Sequence, residues 1–192
     1  LLNETMVERA GLKELLKPEA PYCLLLGFDG FREEVDWWLS ESKRIASEAR
    51  LLFGSTFDGE LDSAIRAKVR DAHAGASANL VLKFVLPSSE VCSFVNEALR
   101  AFNEVVGIIA HSLNGILRLM VFGEFAGTQK EVVEALLERA VQKGGNLLVE
   151  SAPCELKPLL PVWGRPNNSW TLMKRLKETL DPHSIFSPGR MF

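Results

Sequence analysis

The chain has 192 residues, enough for one sizeable core, and its 47% hydrophobic and 24% charged residues are typical of a globular protein. Its formal net charge of −3 argues against a nucleic-acid-binding surface, and no apolar run reaches the ~18 residues that cross a bilayer. With no recognisable signal peptide, we expect a cytoplasmic protein without direct membrane insertion.

Cysteine usage points to a reducing compartment. Cys23, Cys92 and Cys154 are odd in number and widely spaced, and no Cys-x-x-Cys pair is present. This pattern favours reduced cysteines in the core over a disulfide frame, a zinc site or an iron–sulfur cluster.

Apolar spacing predicts helices and one buried strand in the first part of the chain. A helix capped by Asn3 is followed by a continuous apolar run, which is typical of a buried strand. Two amphipathic helices and a flexible Ala/Gly-rich connection come next. The predicted ranges are Asn3–Leu16 (helix), Tyr22–Phe28 (strand), Arg32–Leu52 (helix), Leu61–Arg70 (helix) and Asp71–Asn79 (connection).

Two arginines on the second amphipathic helix form a candidate binding pair. Arg66 and Arg70 are four residues apart and therefore share a helix face. Together they could hold a substrate carboxylate in a bidentate manner. The alternative is a solvated helix face with no ligand.

The middle of the chain has the most regular pattern, with strands and helices in the order βαββαβ. An Asn-Gly pair predicts a hairpin between the second and third strands, and a capping box and a Gly-Gly pair delimit the second helix. This order predicts a ferredoxin-like α+β domain, an antiparallel sheet with helices on one face, extended by the earlier strand and helix. The predicted elements are strand Leu80–Leu86, a helix capped by Ser88, strands Val105–His111 and Gly115–Phe122, a helix with capping box Thr128/Glu131 and terminator Gly144-Gly145, and strand Leu147–Glu150.

The last thirty residues predict a helix followed by two turns. Asn167 or Asn168 can cap the helix, and Asp181-Pro182 ends it because proline disfavours the α conformation in the residue before it. Ser187-Pro188-Gly189 then predicts a turn that presents Arg190. The apolar residues at helical spacing are Leu172, Met173, Leu176 and Leu180.

This C-terminal segment resembles a known family. The run Lys-Glu-x-Leu-Asp-Pro-x-x-Ile-Phe-x-Pro-Gly-Arg is similar to the C-terminal motif of FAD-linked oxidases and dehydrogenases of the vanillyl-alcohol-oxidase type. Trp163-Gly164 and the following Leu-Met-Lys-Arg-Leu-Lys resemble more narrowly the FAD-binding E subunit of glycolate oxidase. Where the family usually has an asparagine before Pro-Gly, this chain has Ser187.

The resemblance implies an FAD-dependent oxidoreductase acting on a 2-hydroxy acid such as glycolate. It implies that residues 1–192 form the C-terminal, substrate-side domain, inactive alone, with FAD bound mainly by an N-terminal domain that this chain lacks. The given sequence begins at Leu1 rather than at a methionine, which agrees with the expectation of such a fragment. Ser187, Gly189 and Arg190 are then the residues expected on the flavin side. Expected partners are the missing domain, a related D subunit and an iron–sulfur F subunit, through which the chain would associate with a membrane.

The hairpin between the second and third strands carries the other candidate residues. Some family members have His-x-Gly-Asp-Gly-Asn-x-His there, serving a metal or the substrate. This chain keeps the first histidine, His111, and one glycine, Gly115, and has Arg118 at the second histidine position. One imidazole without a second ligand is a poor divalent-metal site, so we predict no bound metal. His111 is the candidate base, and Arg118 either binds the substrate carboxylate or pairs with a neighbouring glutamate on the sheet surface.

A second class of function stays open from the sequence. Ferredoxin-like domains also serve as effector-binding or dimerisation modules, and the fold alone does not decide between the two. In that interpretation the chain pairs through a sheet edge or Trp37 and performs no chemistry.

Overall fold

A computed structural model of the protein describes residues 1–15, 20–49, 54–75, 77–102, 105–123 and 129–190. No described helix is both long enough and apolar enough to cross a bilayer. The strands are β1 Leu2–Asn3, β2 Tyr22–Cys23, β3 Leu80–Val85, β4 Val105–His111, β5 Ile116–Phe122 and β6 Asn146–Ser151. The α-helices are α1 Glu4–Arg9, α2 Arg32–Glu48, α3 Gly59–Gly75, α4 Val91–Ala101, α5 Gln129–Gln142 and α6 Ser169–Leu180.

The strands form one antiparallel sheet in the order β2-β1-β4-β5-β3-β6. Within it, β3, α4, β4, β5, α5 and β6 follow the predicted βαββαβ order. The strands of this unit lie in the order β4-β5-β3-β6. Helix α4 connects β3 to β4, which lie on either side of β5, and helix α5 connects β5 to β6, which lie on either side of β3. The α+β prediction is confirmed.

Helices α4 and α5 cover one face of the sheet completely. Phe84 and Phe94 meet there with ring centroids 4.9 Å apart, and both side chains are fully buried. Alternate residues of β3, β4, β5 and β6 point into this core, as the period of two in a strand requires. They include Leu80, Leu82, Leu117, Leu119, Ile108 and Leu147.

The opposite face is covered at one end only. There, α1 and α3 place Met6, Val7, Ile65 and Ala72 against strand residues that include Val81, Ile109 and Met120. The predicted N-cap Asn3 is confirmed, since its side chain accepts a hydrogen bond from the Met6 amide. The same side chain bonds Ile108 N and Val106 O of β4, at 2.9 and 2.8 Å, and so fixes α1 to the sheet. The rest of this face has no helix over it among the described residues, and Val85 is 42% exposed.

Four predictions of local secondary structure were wrong. The helix expected over Asn3–Leu16 ends at Arg9, because Gly11 takes a left-handed φ of 65°. The apolar run after Tyr22 forms only the short strand β2, because it lies at the sheet edge, and Leu24 and Leu26 are more than half exposed. Residues 71–75 are helical rather than a flexible connection, since burial of Ala72 in the α3 contact extends the helix. Ser88 does not cap α4, because its hydroxyl donates instead to Leu113 O in the neighbouring hairpin.

Helix α2 forms as predicted but buries none of its residues. Its apolar residues include Trp37 and Trp38, which are 56% and 50% exposed and touch each other edge to face. Cys92 and Cys154 are exposed rather than in the core, and all three cysteines are free thiols. The predictions for Leu16, for the end of the helix at 51–52 and for the Thr128 capping box lie outside the described residues.

Candidate functional site

The β4–β5 hairpin positions His111 and Arg118. The predicted turn is confirmed: Ser112–Asn114 form one helical turn, and Gly115 has a left-handed φ of 70°. A Cβ at Gly115 would lie 1.9 Å from Leu86 O, so only glycine fits there. Leu86 N donates to Gly115 O at 2.8 Å and ties the hairpin to β3.

His111 and Arg118 lie on the same uncovered part of the sheet. In the strand register, His111 stands opposite Ile116, and Arg118 stands opposite both Ile109 of β4 and Lys83 of β3. Since alternate residues of a strand share a face, all of these side chains point away from α4 and α5. We call this surface the open sheet face; it consists of Lys83, Val85, His111, Ile116, Arg118, Leu148 and Glu150.

An ion cluster lies at the centre of the open sheet face. Arg118 donates to both carboxylate oxygens of Glu150, from Nε at 2.9 Å and from Nη2 at 3.2 Å. Lys83 Nζ lies 3.8 Å from the same carboxylate. The three side chains are between 20% and 31% exposed. The glutamate partner expected in the second interpretation of Arg118 is therefore present, but it faces two cations.

Glu150 reaches this cluster from a β-bulge. In the β3–β6 ladder, Leu82 pairs with Val149 and Val81 pairs with Ser151, so Glu150 is the extra residue without a partner in the register. Bulges of this kind redirect a side chain and are common beside functional sites. Sequence reasoning missed both Lys83 and Glu150. The signal for Lys83 was a single charge inside the apolar strand Leu-Val-Leu-Lys-Phe-Val.

His111 is exposed at the end of β4, with Arg118 as its diagonal neighbour across the two strands. Diagonal neighbours are roughly 7 Å apart, close enough to contact the same small ligand. The described residues contain no group of three His, Cys, Asp or Glu side chains that could hold a metal ion. That the functional protein binds no metal stays a prediction.

Arg66 and Arg70 each form an ion pair with a nearby aspartate, and their joint binding of a substrate carboxylate stays a prediction. Arg66 pairs with Asp62 at 2.8 Å, and Arg70 pairs with Asp71 at 2.7 Å. Each guanidinium thus already has its own acid, and each side chain is more than half exposed. This arrangement matches the solvated helix face that was the alternative interpretation.

The C-terminal turn is held by one buried carboxylate. Asp181 ends α6 and accepts hydrogen bonds from the amides of Ile185 and Phe186, at 2.8 and 3.0 Å, and from Lys177 Nζ. The Lys177 ammonium and the two amides hold the pKa of Asp181 below its ordinary value of 3.8. Lys177 also donates to Phe186 O at 2.5 Å and closes the loop from the other side.

The Pro-Gly turn follows directly and is confirmed. Ser187 and Gly189 have left-handed φ angles of 48° and 68°, and Arg190 N donates to Ser187 O. Trp163 Nε1 donates to Arg190 O at 2.9 Å, which ties the tail to the segment beside β6. The structure thus brings Ser187, Gly189 and Arg190 together in one turn.

Two grooves in the described part of the chain are each lined by two carboxylates and one arginine. The larger groove, about 440 Å³, is lined by Glu4, Thr5, Glu8, Arg9 and Val105, and its carboxylates would repel a pyrophosphate. The smaller, about 290 Å³, contains Glu134 and Glu138 beside Arg165. The open sheet face instead presents two cations, Lys83 and Arg118, beside one carboxylate, Glu150.

Comparison with known proteins gives one family. The family model described as FAD linked oxidases, C-terminal domain, matches residues 3–191. A search of curated proteins gives no match.

We predict that Asp181 gives the C-terminal turn a pH-dependent stability. Because the folded-state pKa lies below 3.8, this contribution is complete above pH 3.8 and is lost as the pH falls through the folded-state pKa. In two-dimensional NMR, the amide signals of Ile185 and Phe186 should titrate with a midpoint below 3.8. Asp181→Asn should abolish that titration, whereas Glu178→Gln, an exposed change on α6, should leave it intact. A midpoint at or above 3.8 would contradict the assignment.

Proposed function

The chain belongs to the FAD-linked oxidases, as their C-terminal domain, and on that premise we propose that its open sheet face binds a 2-hydroxy acid such as glycolate beside the flavin. The observation that carries this proposal is the cluster of Lys83 and Arg118 around Glu150, on a partly exposed region of the sheet. The protein is then part of an FAD-dependent oxidoreductase subunit. A 2-hydroxy acid matches this surface because it combines a carboxylate with a neighbouring hydroxyl.

Arg118 is the proposed ligand of the substrate carboxylate. Its guanidinium offers parallel donors in a fixed plane, a geometry that it already uses towards Glu150. Its partial burial between neighbouring strands strengthens an ionic contact relative to one in open water. The apolar residues Ile116 and Leu148 flank the cations and would exclude water once the face is covered.

His111 is the proposed base for the substrate hydroxyl. A carboxylate held at Arg118 places the α-carbon and its hydroxyl within reach of the diagonal neighbour His111. Bound FAD supplies the hydride acceptor for such an oxidation. The turn of Ser187, Gly189 and Arg190 is proposed to approach the flavin side, with its shape fixed by Asp181 and Trp163.

Exposed apolar surfaces support larger neighbours for this domain. Helix α6 carries Leu172, Leu176 and Leu180, each more than half exposed, and Phe186 beyond it is 71% exposed. Apolar surface of this extent is typical of a contact with another domain or subunit. We propose that an N-terminal FAD-binding domain covers it, and that partners resembling the glycolate-oxidase D subunit and iron–sulfur F subunit complete the assembly. The domain alone would then be inactive.

A stand-alone effector-binding or dimerisation module is the competing proposal. The exposed pair of Trp37 and Trp38 on α2 is the observation that favours it, since aromatic residues are enriched in protein interfaces. Membership in the oxidase family favours the flavin-dependent role. The two proposals differ in whether the sequence upstream of Leu1 encodes a flavin-binding domain in the same reading frame.

We predict that the purified 192-residue chain does not bind FAD tightly. The two grooves described above each have two glutamates beside one arginine, a poor setting for a pyrophosphate, which supports the proposal that another domain supplies the main contacts to FAD. Titration of the chain with FAD, followed by flavin fluorescence, should show no stoichiometric binding at micromolar concentration. Stoichiometric binding would overturn the idea that another domain holds most of the cofactor.

We predict that Arg118→Met raises the KM of the FAD-loaded enzyme for glycolate by about 10- to 100-fold. A charge-assisted hydrogen bond contributes roughly 1.5–3 kcal/mol, and methionine removes it while keeping most of the volume. Steady-state kinetics should show the loss mainly in KM. The control Arg139→Met removes an arginine that pairs with Glu97 on the helix-covered side at the same 2.9 Å, and it should leave KM unchanged. An unchanged KM in Arg118→Met would remove Arg118 from the site.

A further inference from the structure

Glu150 is the one acidic side chain in the ion cluster of the open sheet face. It bonds Arg118 through both oxygens, and its carboxylate lies 3.8 Å from Lys83. Lys83 and Arg118 are direct partners in the β3–β5 register, and like charges so placed repel each other. Glu150 relieves that repulsion from the bulge in β6, which indicates that its negative charge is part of how the cluster is built.

The net charge of this cluster limits which anionic ligands it can bind. Two cations and one carboxylate leave one positive charge without a partner (2 − 1 = 1). A ligand with a single carboxylate brings the cluster to neutrality. A second carboxylate on the same small ligand would find both cations already matched and would face Glu150. Once the site is covered, that second charge would be desolvated without compensation, which is costly.

We propose that Glu150 is a specificity-determining residue that restricts the site to 2-hydroxy acids with one carboxylate and disfavours those with two. This inference rests on the proposed function and adds to it the charge class of the substrate. Lys83 supplies the positive charge that the substrate carboxylate neutralises, and Arg118 orients that carboxylate. Glu150 acts on the substrate through its charge and also orients the Arg118 guanidinium.

The test compares glycolate with tartronate, which carries a second carboxylate on the same α-carbon. Glu150→Gln keeps the shape and one oxygen acceptor for Arg118 but removes the negative charge. In the FAD-loaded enzyme, this variant should raise the ratio of kcat/KM for tartronate to that for glycolate by about tenfold, mainly through KM. Lys83→Met should lower kcat/KM for glycolate by about tenfold. The matched control Glu97→Gln removes the acid paired with Arg139 and should leave the ratio unchanged.

Several outcomes would overturn the inference. An unchanged ratio in a folded Glu150→Gln variant would contradict it, as would an unchanged KM for glycolate in Lys83→Met. Urea unfolding of each variant separates these effects from loss of fold. If Glu150→Gln does not fold, Glu150→Asp provides the second test, and it should keep the wild-type preference for glycolate because it keeps the charge.

Failure of this inference is distinguishable from failure of the proposed function. If the wild-type enzyme oxidises neither acid, the proposed function fails. The charge rule, which is the preference for one carboxylate over two, can then still be tested by NMR titration of the chain with glycolate and tartronate, followed at the amides of Lys83 and Arg118. The rule predicts that Glu150→Gln strengthens tartronate binding about tenfold relative to glycolate. Equal shifts in the affinities of both anions would contradict it.

Discussion

Unequal coverage of the sheet is the constraint on which the rest of this structure depends. Helices α4 and α5 bury one face entirely, whereas α1 and α3 cover only one end of the other. Asn3 maintains this asymmetry by capping α1 and bonding the backbone of β4 with the same amide. The uncovered end is therefore a stable surface backed by a complete core, and its side chains are held by strand register rather than by loops.

The charges on that surface connect the fold to the proposed chemistry. Cross-strand pairing forces Lys83 and Arg118 together, and the bulge in β6 brings Glu150 to them. Family membership makes the protein part of an FAD-dependent oxidoreductase, and the proposed binding of an anionic substrate is assigned to this cluster. The C-terminal turn is stabilised in a different way: one buried carboxylate, Asp181, accepts hydrogen bonds from the backbone around it.

Local signals in the sequence predicted much of the fold. The regular strands, the Asn-Gly hairpin and the Asn3 cap were predictable because each depends on neighbouring residues alone. The apolar run that begins at Tyr22 was misjudged, since its partner strand β1 pairs with only two of its residues, Tyr22 and Cys23. Arg118 was predicted as a candidate, but Lys83 and Glu150 were not. Their meeting depends on the β3–β6 bulge, a feature of long-range pairing that a local pattern does not reveal.

The most direct test of the central claim is a lysine footprint of the assembled, FAD-loaded enzyme with glycolate. Lys83 and Lys143 have similar side-chain exposure, 28% and 24%, but Lys83 lies on the open sheet face and Lys143 pairs with Glu90 at the start of α4. Acetylation followed by mass spectrometry should show Lys83 protected about tenfold or more relative to the isolated chain, with Lys143 unchanged. Equal acetylation of Lys83 in the two states would contradict the claim that flavin and substrate lie against this face.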